Sequence, residues 1–353
     1  MISPLTEGEV SAPAVHRRTG VLLVNVGSPE SPTTPAVRKY LRQFLGDPRV
    51  LDMNAAARWA LLNLIILPTR PSKSAYAYGK VWMKEGAPLV HYSTLQRDAL
   101  AAKLPETRVY LAMRYGKPSI PDVLDQIDKD DVETLCVLPM YPQYASASTT
   151  TAMEEIQRQL SRRSRQPALR VVPPFYDAPG FLDAAAGRIR EKAKELNADA
   201  VLFSYHGLPQ RQVRACGSER CFTSGCCDQL GPANHACYRA QCMATSRELA
   251  RRIDLKKWDV SFQSRLGRDP WIEPNTEAVL PKLAKEGVKR LVVACPSFVA
   301  DCLETLEEIG IRARDLFKDS GGEDLALVPC VNDDPVFIDG LAVLARRALG
   351  ISK

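Results

Sequence analysis

A histidine stands at the end of a predicted strand in the middle of the chain. The apolar run Ala200 to Ser204 is typical of a buried strand, and Tyr205-His206-Gly207 follows it directly. An imidazole exchanges a proton near neutral pH and ligates metal ions, so His206 is a candidate base or metal ligand. A histidine that only closes its loop by hydrogen bonding explains the same pattern equally well.

Three carboxylates follow the strand predicted over residues 290–294. On the helix predicted over Asp301 to Phe317, Asp301, Glu304 and Glu308 lie in line on one face. Oxygen ligands suit a hydrated divalent cation that must pass through, so this line is a candidate track for such an ion. An acidic, solvated first turn that complements the helix dipole is the simpler interpretation of this segment alone.

The chain has ten cysteines, and six of them lie within 27 residues. A secreted disulfide protein would be smaller and more evenly rich in cysteine. In a cytoplasmic chain, a local cluster of this kind indicates metal or iron–sulfur ligation. The six are Cys216, Cys221, Cys226, Cys227, Cys237 and Cys242.

Aromatic side chains and one arginine also follow predicted strands. Tyr115, Tyr141, Tyr144 and Trp271 have the shape to wall a flat aromatic ligand. Arg114 offers a planar guanidinium that suits a carboxylate. Ordinary packing is the simpler account of any one of these residues taken alone.

The segments around these residues predict a repeated alternation of strands and helices. Short β-branched runs are typical of buried parallel strands, and segments with helical spacing separate them. The alternation predicts an α/β fold in two doubly wound halves, with ligands beyond the carboxyl ends of the strands. The predicted strands are residues 20–27, 107–113, 134–138, 169–172, 200–204, 258–263, 290–294 and 325–328.

The length of 353 residues suits two packed domains or one large α/β unit. Pro173, Pro174 and Pro179 crowd together where the halves are expected to meet. We therefore predict an N-terminal extension over 1–18, a first domain over 19–175 and a second domain over 176–353, with a cysteine-rich insertion at 214–242.

Charge and hydropathy argue against several classes of protein. The net charge of +6 comes without a dense basic run interleaved with aromatics, so nucleic-acid binding is not expected. The longest apolar stretch, Trp59 to Leu67, ends at Pro68 and is too short to span a bilayer. The polar N-terminal residues have no apolar signal region, so we expect a cytoplasmic protein.

Five segments, taken together and in order, resemble the ferrochelatase family from about residue 19 to residue 348. Five motifs in one order are far more specific than any single motif. The segments are 22–29 (LLVNVGSP), 141–144 (YPQY), 204–209 (SYHGLP), 262–271 (FQSRLG, then PW) and 302–308 (CLETLEE).

The resemblance implies two Rossmann-like domains, each a parallel sheet flanked by helices, with a porphyrin cleft between them. It implies a lyase that inserts Fe²⁺ into protoporphyrin IX with release of two protons, the last chemical step of haem synthesis. It also implies that His206 and Glu304 are the central catalytic pair, which handle the iron and protons with Asp301 and Glu308. The expected porphyrin-binding residues are Arg114, Tyr115, Tyr144 and Trp271.

Two features depart from the simplest members of the family. Position 302 is cysteine where many relatives carry histidine, and the segment 214–236 is longer and holds most of the clustered cysteines. Some ferrochelatases carry a 2Fe–2S cluster, which needs four thiolates. A structural zinc site and free thiols are the alternatives. The expected cluster ligands are Cys221, Cys226, Cys227 and Cys237, with Cys216 as the substitute and Cys242 excluded.

The apolar segment Trp59 to Leu67 is a reasonable lip for the cleft, and it predicts peripheral contact with the inner membrane surface. Two other classes compete with the ferrochelatase interpretation. A haem-binding iron–sulfur sensor would need the cysteines but not His206 with Glu304. A related chelatase would act on another tetrapyrrole or another metal, such as cobalt. Coproporphyrin is the alternative substrate, and the cysteine-rich insertion favours protoporphyrin.

Overall fold

The structure is a computed structural model that describes residues 18–216, 221–265, 267 and 269–351. Within these ranges two parallel four-stranded sheets follow one another along the chain. The apolar side chains of the inner strands are buried on both faces, as expected where helices cover both sides of a parallel sheet. The strands are β1 (Thr19–Asn25), β2 (Arg108–Met113), β3 (Thr134–Pro139) and β4 (Ala168–Val171), then β5 (Ala200–His206), β6 (Trp258–Gln263), β7 (Arg290–Ala294) and β8 (Asp324–Leu327).

The two sheets share one strand order. β1 pairs with β2 and β3 to give β2-β1-β3-β4, and β5 pairs with β6 and β7 to give β6-β5-β7-β8. In each sheet the strand order therefore reverses between the first and the third strand, and open α/β sheets bind ligands beyond that point. In the second sheet this point lies between His206, the last residue of β5, and Ala294, the last residue of β7.

Helices connect the strands, and three segments of the described chain are π-helical. π-Helical turns are rare and frequently lie at functional sites. The α-helices are α1 (Thr34–Gly46), α2 (Ala55–Ala60), α3 (Leu67–Val81), α4 (Pro88–Lys103), α5 (Ile120–Lys129), α6 (Thr151–Leu160), α7 (Pro179–Leu196), α8 (Gln210–Cys216), α9 (Tyr238–Ile253), α10 (Thr276–Lys285), α11 (Arg314–Asp319) and α12 (Pro335–Leu349). The π-helices are π1 (Leu61–Ile66), π2 (Ser146–Thr150) and π3 (Glu304–Ala313).

The last helix joins the two sheets. Helix α12 packs against α7 and also against α4 and β3, which belong to the first sheet and its cover. Lys103 of α4 forms an ion pair with Asp339 of α12 at 2.6 Å, and Arg346 donates a hydrogen bond to the carbonyl oxygen of Lys103. One apolar core accordingly contains residues from both sheets, among them Val21 of β1 and Val292 of β7.

The predicted α/β class with parallel sheets is confirmed. The helix predicted over Asp301 to Phe317 is present, but it begins three residues later, at Glu304, as π3 and continues as α11. Helix α4 was not predicted, because it turns the polar residues Ser93 and Gln96 inward and so lacks regular apolar spacing. The domain boundaries stay predictions, and residues 1–17 of the extension and 217–220 of the insertion lie outside the described residues.

Candidate active site at the strand ends

His206 is held in one orientation at the end of β5. Its Nδ1 lies 2.6 Å from the carbonyl oxygen of Gly207, and a carbonyl can only accept, so Nδ1 carries the hydrogen. In the neutral ring, Nε2 is then the nitrogen with a free lone pair. The main chain of His206 is fixed as well, because its N–H donates to Ser297 Oγ and its carbonyl accepts from Tyr238 Oη. The side chain is therefore prepared to take a proton or bind a metal through Nε2.

Glu304 begins π3 and faces elements of the first sheet's cover. Its neighbour Leu303 packs against Val37, Ala75 and Tyr78 of helices α1 and α3. Burial raises the pKa of the Tyr78 phenol, and the charge of Glu304 raises it further. Tyr40 shows the same effects. The carboxylate of Glu304 thus lies where the two parts of the chain meet, which agrees with a site between them.

Glu308 shares the electrostatic environment of His206 and Glu304. Burial raises its pKa, the charges of His206 and Arg312 lower it, and the charge of Glu304 raises it. Ser264 donates its amide N–H to Oε1 at 2.7 Å and its hydroxyl to Oε2 at 2.6 Å. The structure therefore brings His206, Glu304 and Glu308 together, although they come from two separate strand ends.

Asp301 has different surroundings from the other two carboxylates. It is buried before the start of π3, and its Oδ1 accepts hydrogen bonds from the Cys330 amide and the Thr305 hydroxyl. Oδ2 accepts from Asn332 Nδ2 at 2.8 Å, and Asn332 Oδ1 accepts from the Asp301 amide in return. Both carboxylate oxygens are engaged with the protein, so Asp301 fastens the loop after β7 to the loop after β8.

Arg114 and Tyr115 meet at one carboxylate, that of Asp47. Arg114 Nη2 lies 2.6 Å from Asp47 Oδ2, and the Tyr115 and Thr151 hydroxyls donate to the same oxygen. Arg114 Nε also donates to Thr151. Tyr115 is only 2 % exposed, so the structure contradicts its expected place in a ligand wall. The Arg114 side chain is partly exposed and keeps a fixed direction.

Tyr144 and Trp271 are both partly exposed. The Tyr144 hydroxyl shares a hydrogen bond of 2.8 Å with Thr150, and its amide donates to Gln241. The Trp271 ring lies next to the turn after His206. A Cβ atom added at Gly207 would be only 3.1 Å from this ring. Gly207 therefore permits the aromatic ring to approach the histidine loop closely.

Four of the clustered cysteines interact with one another. The sulfurs of Cys226 and Cys227 are 3.6 Å apart, and Arg239 donates to Cys227 Sγ. A hydrogen bond from Cys227 lowers the pKa of Cys237, whereas the nearby charge of Cys221 raises it. Cys216 takes no part in these interactions, and burial raises the pKa of its thiol. Across the described ranges, no group of three or more His, Cys, Asp or Glu side chains is placed to hold a metal ion.

Several interactions of this region were not predicted from the sequence. Gln263 ends β6 and Ser264 follows it, and both lie in the 262–271 segment that carries the family resemblance, but no role was predicted for either residue. Tyr40, Tyr78 and the ion pair of Lys80 with Glu307 come from helices α1, α3 and π3. No sequence pattern connects those helices, because their contact arises only from the packing of the two parts of the chain.

The fold and the site together define a chelatase-type α/β protein. The solved structure of SirB from Bacillus subtilis with Fe³⁺ superimposes with a TM-score of 0.54, covering 94% of this chain and 98% of that one, at 13% identity. That likeness shows the fold. A ferrochelatase from Coxiella burnetii (strain CbuK_Q154) is 42% identical to this chain, with 95% of this chain and 95% of that protein covered. A ferrochelatase from Pseudomonas fluorescens (strain Pf0-1) is 46% identical, with 93% of this chain and 97% of that protein covered.

The sequence model of the ferrochelatase family matches residues 18–349, so the chain belongs to the ferrochelatase family. It is accordingly an enzyme, a lyase that inserts iron into a porphyrin in haem synthesis.

Proposed function

We propose that the chain inserts Fe²⁺ into protoporphyrin IX, with His206 and Glu304 as the catalytic pair. The observation that carries this proposal is the orientation of His206. Its Nδ1–H is bonded to Gly207, so Nε2 is free to accept a proton, and the protonated ring lowers the pKa of Glu308, which follows Glu304 on π3. A proton acceptor and two oxygen ligands thus lie close together at the strand ends.

The chemistry requires two protons to leave the porphyrin as four nitrogens bind the metal. A planar macrocycle holds its lone pairs in its own plane, so the enzyme must bend it at a cost drawn from binding. His206 Nε2 takes the pyrrole protons, and Glu304 with Glu308 supplies carboxylate oxygens to the incoming iron. In this proposal the guanidinium of Arg114 pairs with a propionate, and Tyr144 and Trp271 contact the ring.

The test is anaerobic Fe²⁺ insertion by the purified protein, with protoporphyrin IX and coproporphyrin III as alternative substrates. We expect His206→Ala and Glu304→Ala to lose roughly 10²–10⁴-fold in rate while binding porphyrin normally. The exposed residue Glu286 supplies a matched control for Glu304, since alanine at this position leaves the site untouched. A parent protein that binds porphyrin without inserting iron would favour a haem sensor instead, and a preference for coproporphyrin would change the substrate.

We also propose that Cys221, Cys226, Cys227 and Cys237 bind a 2Fe–2S cluster. Two thiolates on one tetrahedral metal lie about 3.8 Å apart, given metal–sulfur bonds near 2.3 Å, and the Cys226 and Cys227 sulfurs are 3.6 Å apart. A hydrogen bond between Cys227 and Cys237 raises the pKa of Cys227 and lowers that of Cys237, which favours the thiolate on Cys237. The donor set therefore suits a cluster in its chemistry and in the spacing of one pair, although the four described thiols are not gathered around a single point. When bound, such a cluster would cross-link the 221–237 loop and add a redox centre.

Acid-labile sulfide distinguishes the cluster from substrate iron and from zinc. We expect about two iron atoms and two sulfides per chain in anaerobically purified protein, as the cluster stoichiometry requires. Cys226→Ser should lose both, whereas Cys216→Ser should keep them. If Cys226→Ser retained the iron and sulfide and Cys216→Ser lost them, Cys216 would be a ligand in place of Cys226. If the parent protein contained zinc and no sulfide, the site would be a structural zinc site rather than a cluster.

A cytoplasmic location with peripheral membrane contact is the last part of the proposal. Large apolar side chains project from α2, π1 and α3, and Trp59 and Leu64 are 62% and 66% exposed. None of the described helices has the length and hydropathy needed to cross a bilayer. A surface of this kind buries its side chains at the depth of the lipid headgroups.

A further inference from the structure

Two consecutive residues at the end of β6 have no part in the chemistry described so far. Gln263 is the last residue of the strand and is 2 % exposed, and Ser264 follows it with a φ of +66°. Left-handed backbone is uncommon for a residue other than glycine. Residues held in such a conformation cluster at sites where the surrounding structure over-determines them.

Gln263 connects both sides of His206 to the start of π3. Its Nε2 donates to the main-chain oxygen of Glu304 at 2.7 Å, and its Oε1 accepts from the Ser204 hydroxyl at 2.9 Å. Its own carbonyl accepts from the Gly207 amide at 2.8 Å. Ser204 and Gly207 flank His206 on the chain, so one buried amide side chain and its carbonyl link the histidine segment to Glu304.

Ser264 holds the second carboxylate of π3. Its amide and its hydroxyl donate to the two different oxygens of Glu308, at 2.7 and 2.6 Å. The turn conformation aims both donors in the same direction. Glycine would suit the positive φ better but would supply only the amide, so the hydroxyl is the contribution that requires a serine.

We propose that Gln263 and Ser264 are positioning residues that hold Glu304 and Glu308 of π3 in register with His206 for the iron-insertion reaction. The inference rests on the proposed function, because it assigns these residues to the same site. Neither residue needs to touch iron or porphyrin in order to act in this way. Each acts through the carboxylate-bearing helix.

The physical reason is the freedom of a glutamate side chain. Three rotatable bonds separate its carboxylate from the main chain, and a catalytic group must stay within about 0.5 Å of its productive position. Two hydrogen bonds to different oxygens fix the carboxylate plane of Glu308. Each oxygen keeps a second lone pair, so the fixed carboxylate still accepts a cation.

The experiment compares Ser264→Ala and Ser264→Gly with the parent protein in haem formation. KM is measured separately for Fe²⁺ and for porphyrin, and the melting temperature is recorded. We expect both variants to raise KM for Fe²⁺ about tenfold, in keeping with one lost hydrogen bond to a charged group. KM for porphyrin should not change. Ser264→Gly should melt at or above the parental temperature because it relieves the positive φ.

Opposite movements of stability and iron affinity in Ser264→Gly distinguish positioning from a general structural effect. Thr107→Ala is the control, because the buried Thr107 hydroxyl shares a hydrogen bond of 3.0 Å with Thr19 at the amino ends of the first sheet's strands, away from π3. We expect this control to melt earlier with an unchanged KM for Fe²⁺. Gln263→Glu, which removes the donor to Glu304, should lower kcat/KM for Fe²⁺ at least tenfold with unchanged porphyrin affinity.

Three outcomes would overturn the inference. Parental KM for Fe²⁺ in both Ser264 variants would show that Glu308 needs no such support. A raised KM for porphyrin alone would place the serine hydroxyl on the substrate rather than on Glu308. A loss of iron affinity in Thr107→Ala equal to that in Ser264→Ala would reduce the effect to general stability. Failure of the parent protein to make haem would instead overturn the proposed function, which keeps the two failures distinct.

Discussion

Arg114 and Asp47 form a largely buried ion pair in which Arg114 Nη2 lies 2.6 Å from Asp47 Oδ2. The Tyr115 and Thr151 hydroxyls donate to the same oxygen, so three donors converge on one atom. Burial by itself raises the pKa of Asp47, but hydrogen bonds from Thr151, the Arg49 amide and Tyr115 bring it below its ordinary value. The carboxylate is therefore ionised when folded and directs the guanidinium.

Replacement of Asp47 by asparagine should destabilise the protein by about 3 kcal/mol at neutral pH, because it leaves Arg114 without its buried partner. A carboxyl whose pKa falls on folding stabilises above its unfolded value and loses that effect as pH falls through the folded value. The difference between parent and Asp47→Asn should therefore shrink below pH 3.8, the ordinary pKa. Urea unfolding across this range measures it.

Asp254→Asn is the control for that experiment, since Asp254 is exposed and pairs only with Lys256. It should unfold like the parent protein at every pH. A constant difference between parent and Asp47→Asn from pH 7 to pH 3 would contradict the assignment of the ionised form.

Two glycines set the distance between helices α7 and α12. A Cβ atom at Gly180 would lie 2.6 Å from Gly340 Cα, whereas one at Gly187, further along α7, would meet nothing within 4 Å. We expect Gly180→Ala to destabilise by about 1–3 kcal/mol through overpacking. Gly187→Ala should stabilise by about 0.5–1 kcal/mol through helix propensity. Thermal unfolding of the two variants tests both expectations. Equal changes in stability would mean that α7 and α12 can move apart to accept a side chain at position 180.

The exposed apolar side chains of α2 and π1 should mediate lipid contact. Simultaneous replacement of Trp59, Leu64 and Ile65 by serine removes about 1.5–3 kcal/mol of burial per side chain, so vesicle binding should fall more than 100-fold. Co-sedimentation with lipid vesicles measures this loss. Val343→Ser, at an exposed apolar position on α12, is the control and should bind as the parent does. Equal binding by the triple variant would remove the proposed membrane contact.

Asp301 and Glu308 should respond differently to loss of charge. In Asp301→Asn, the side-chain NH2 group replaces an oxygen that accepts a hydrogen bond from Cys330 or Asn332. We therefore expect a stability loss of about 1–3 kcal/mol with little change in KM for Fe²⁺. Glu308→Gln should raise KM for Fe²⁺ with a smaller effect on stability. If Asp301→Asn raised KM for Fe²⁺ at parental stability, Asp301 would act with Glu304 and Glu308 on the iron, as the sequence predicted.

Local sequence patterns were enough to locate the strands and to indicate candidate site residues beyond their ends. β1 and β7 are short apolar runs, and His206 and Glu304 follow the strand rule for ligand sites. These patterns could not show that Asp301 has different surroundings from Glu304, because Asp301 is bonded to Asn332, which is 31 residues away in sequence. Tyr115 was misplaced for the same reason, since its partner Asp47 lies 68 positions earlier. Such contacts depend on packing between elements distant in sequence.

Helix α12 has a consequence for how the protein is made. It is the last helix of the described chain, yet it covers α4 and β3, which a ribosome completes much earlier. The apolar face beneath it stays open to water until α12 has been made, and such faces are prone to aggregation. A nascent chain halted before α12 is therefore incomplete in its earliest elements as well. Packing of the two sheets against each other is thereby delayed until α12 is present.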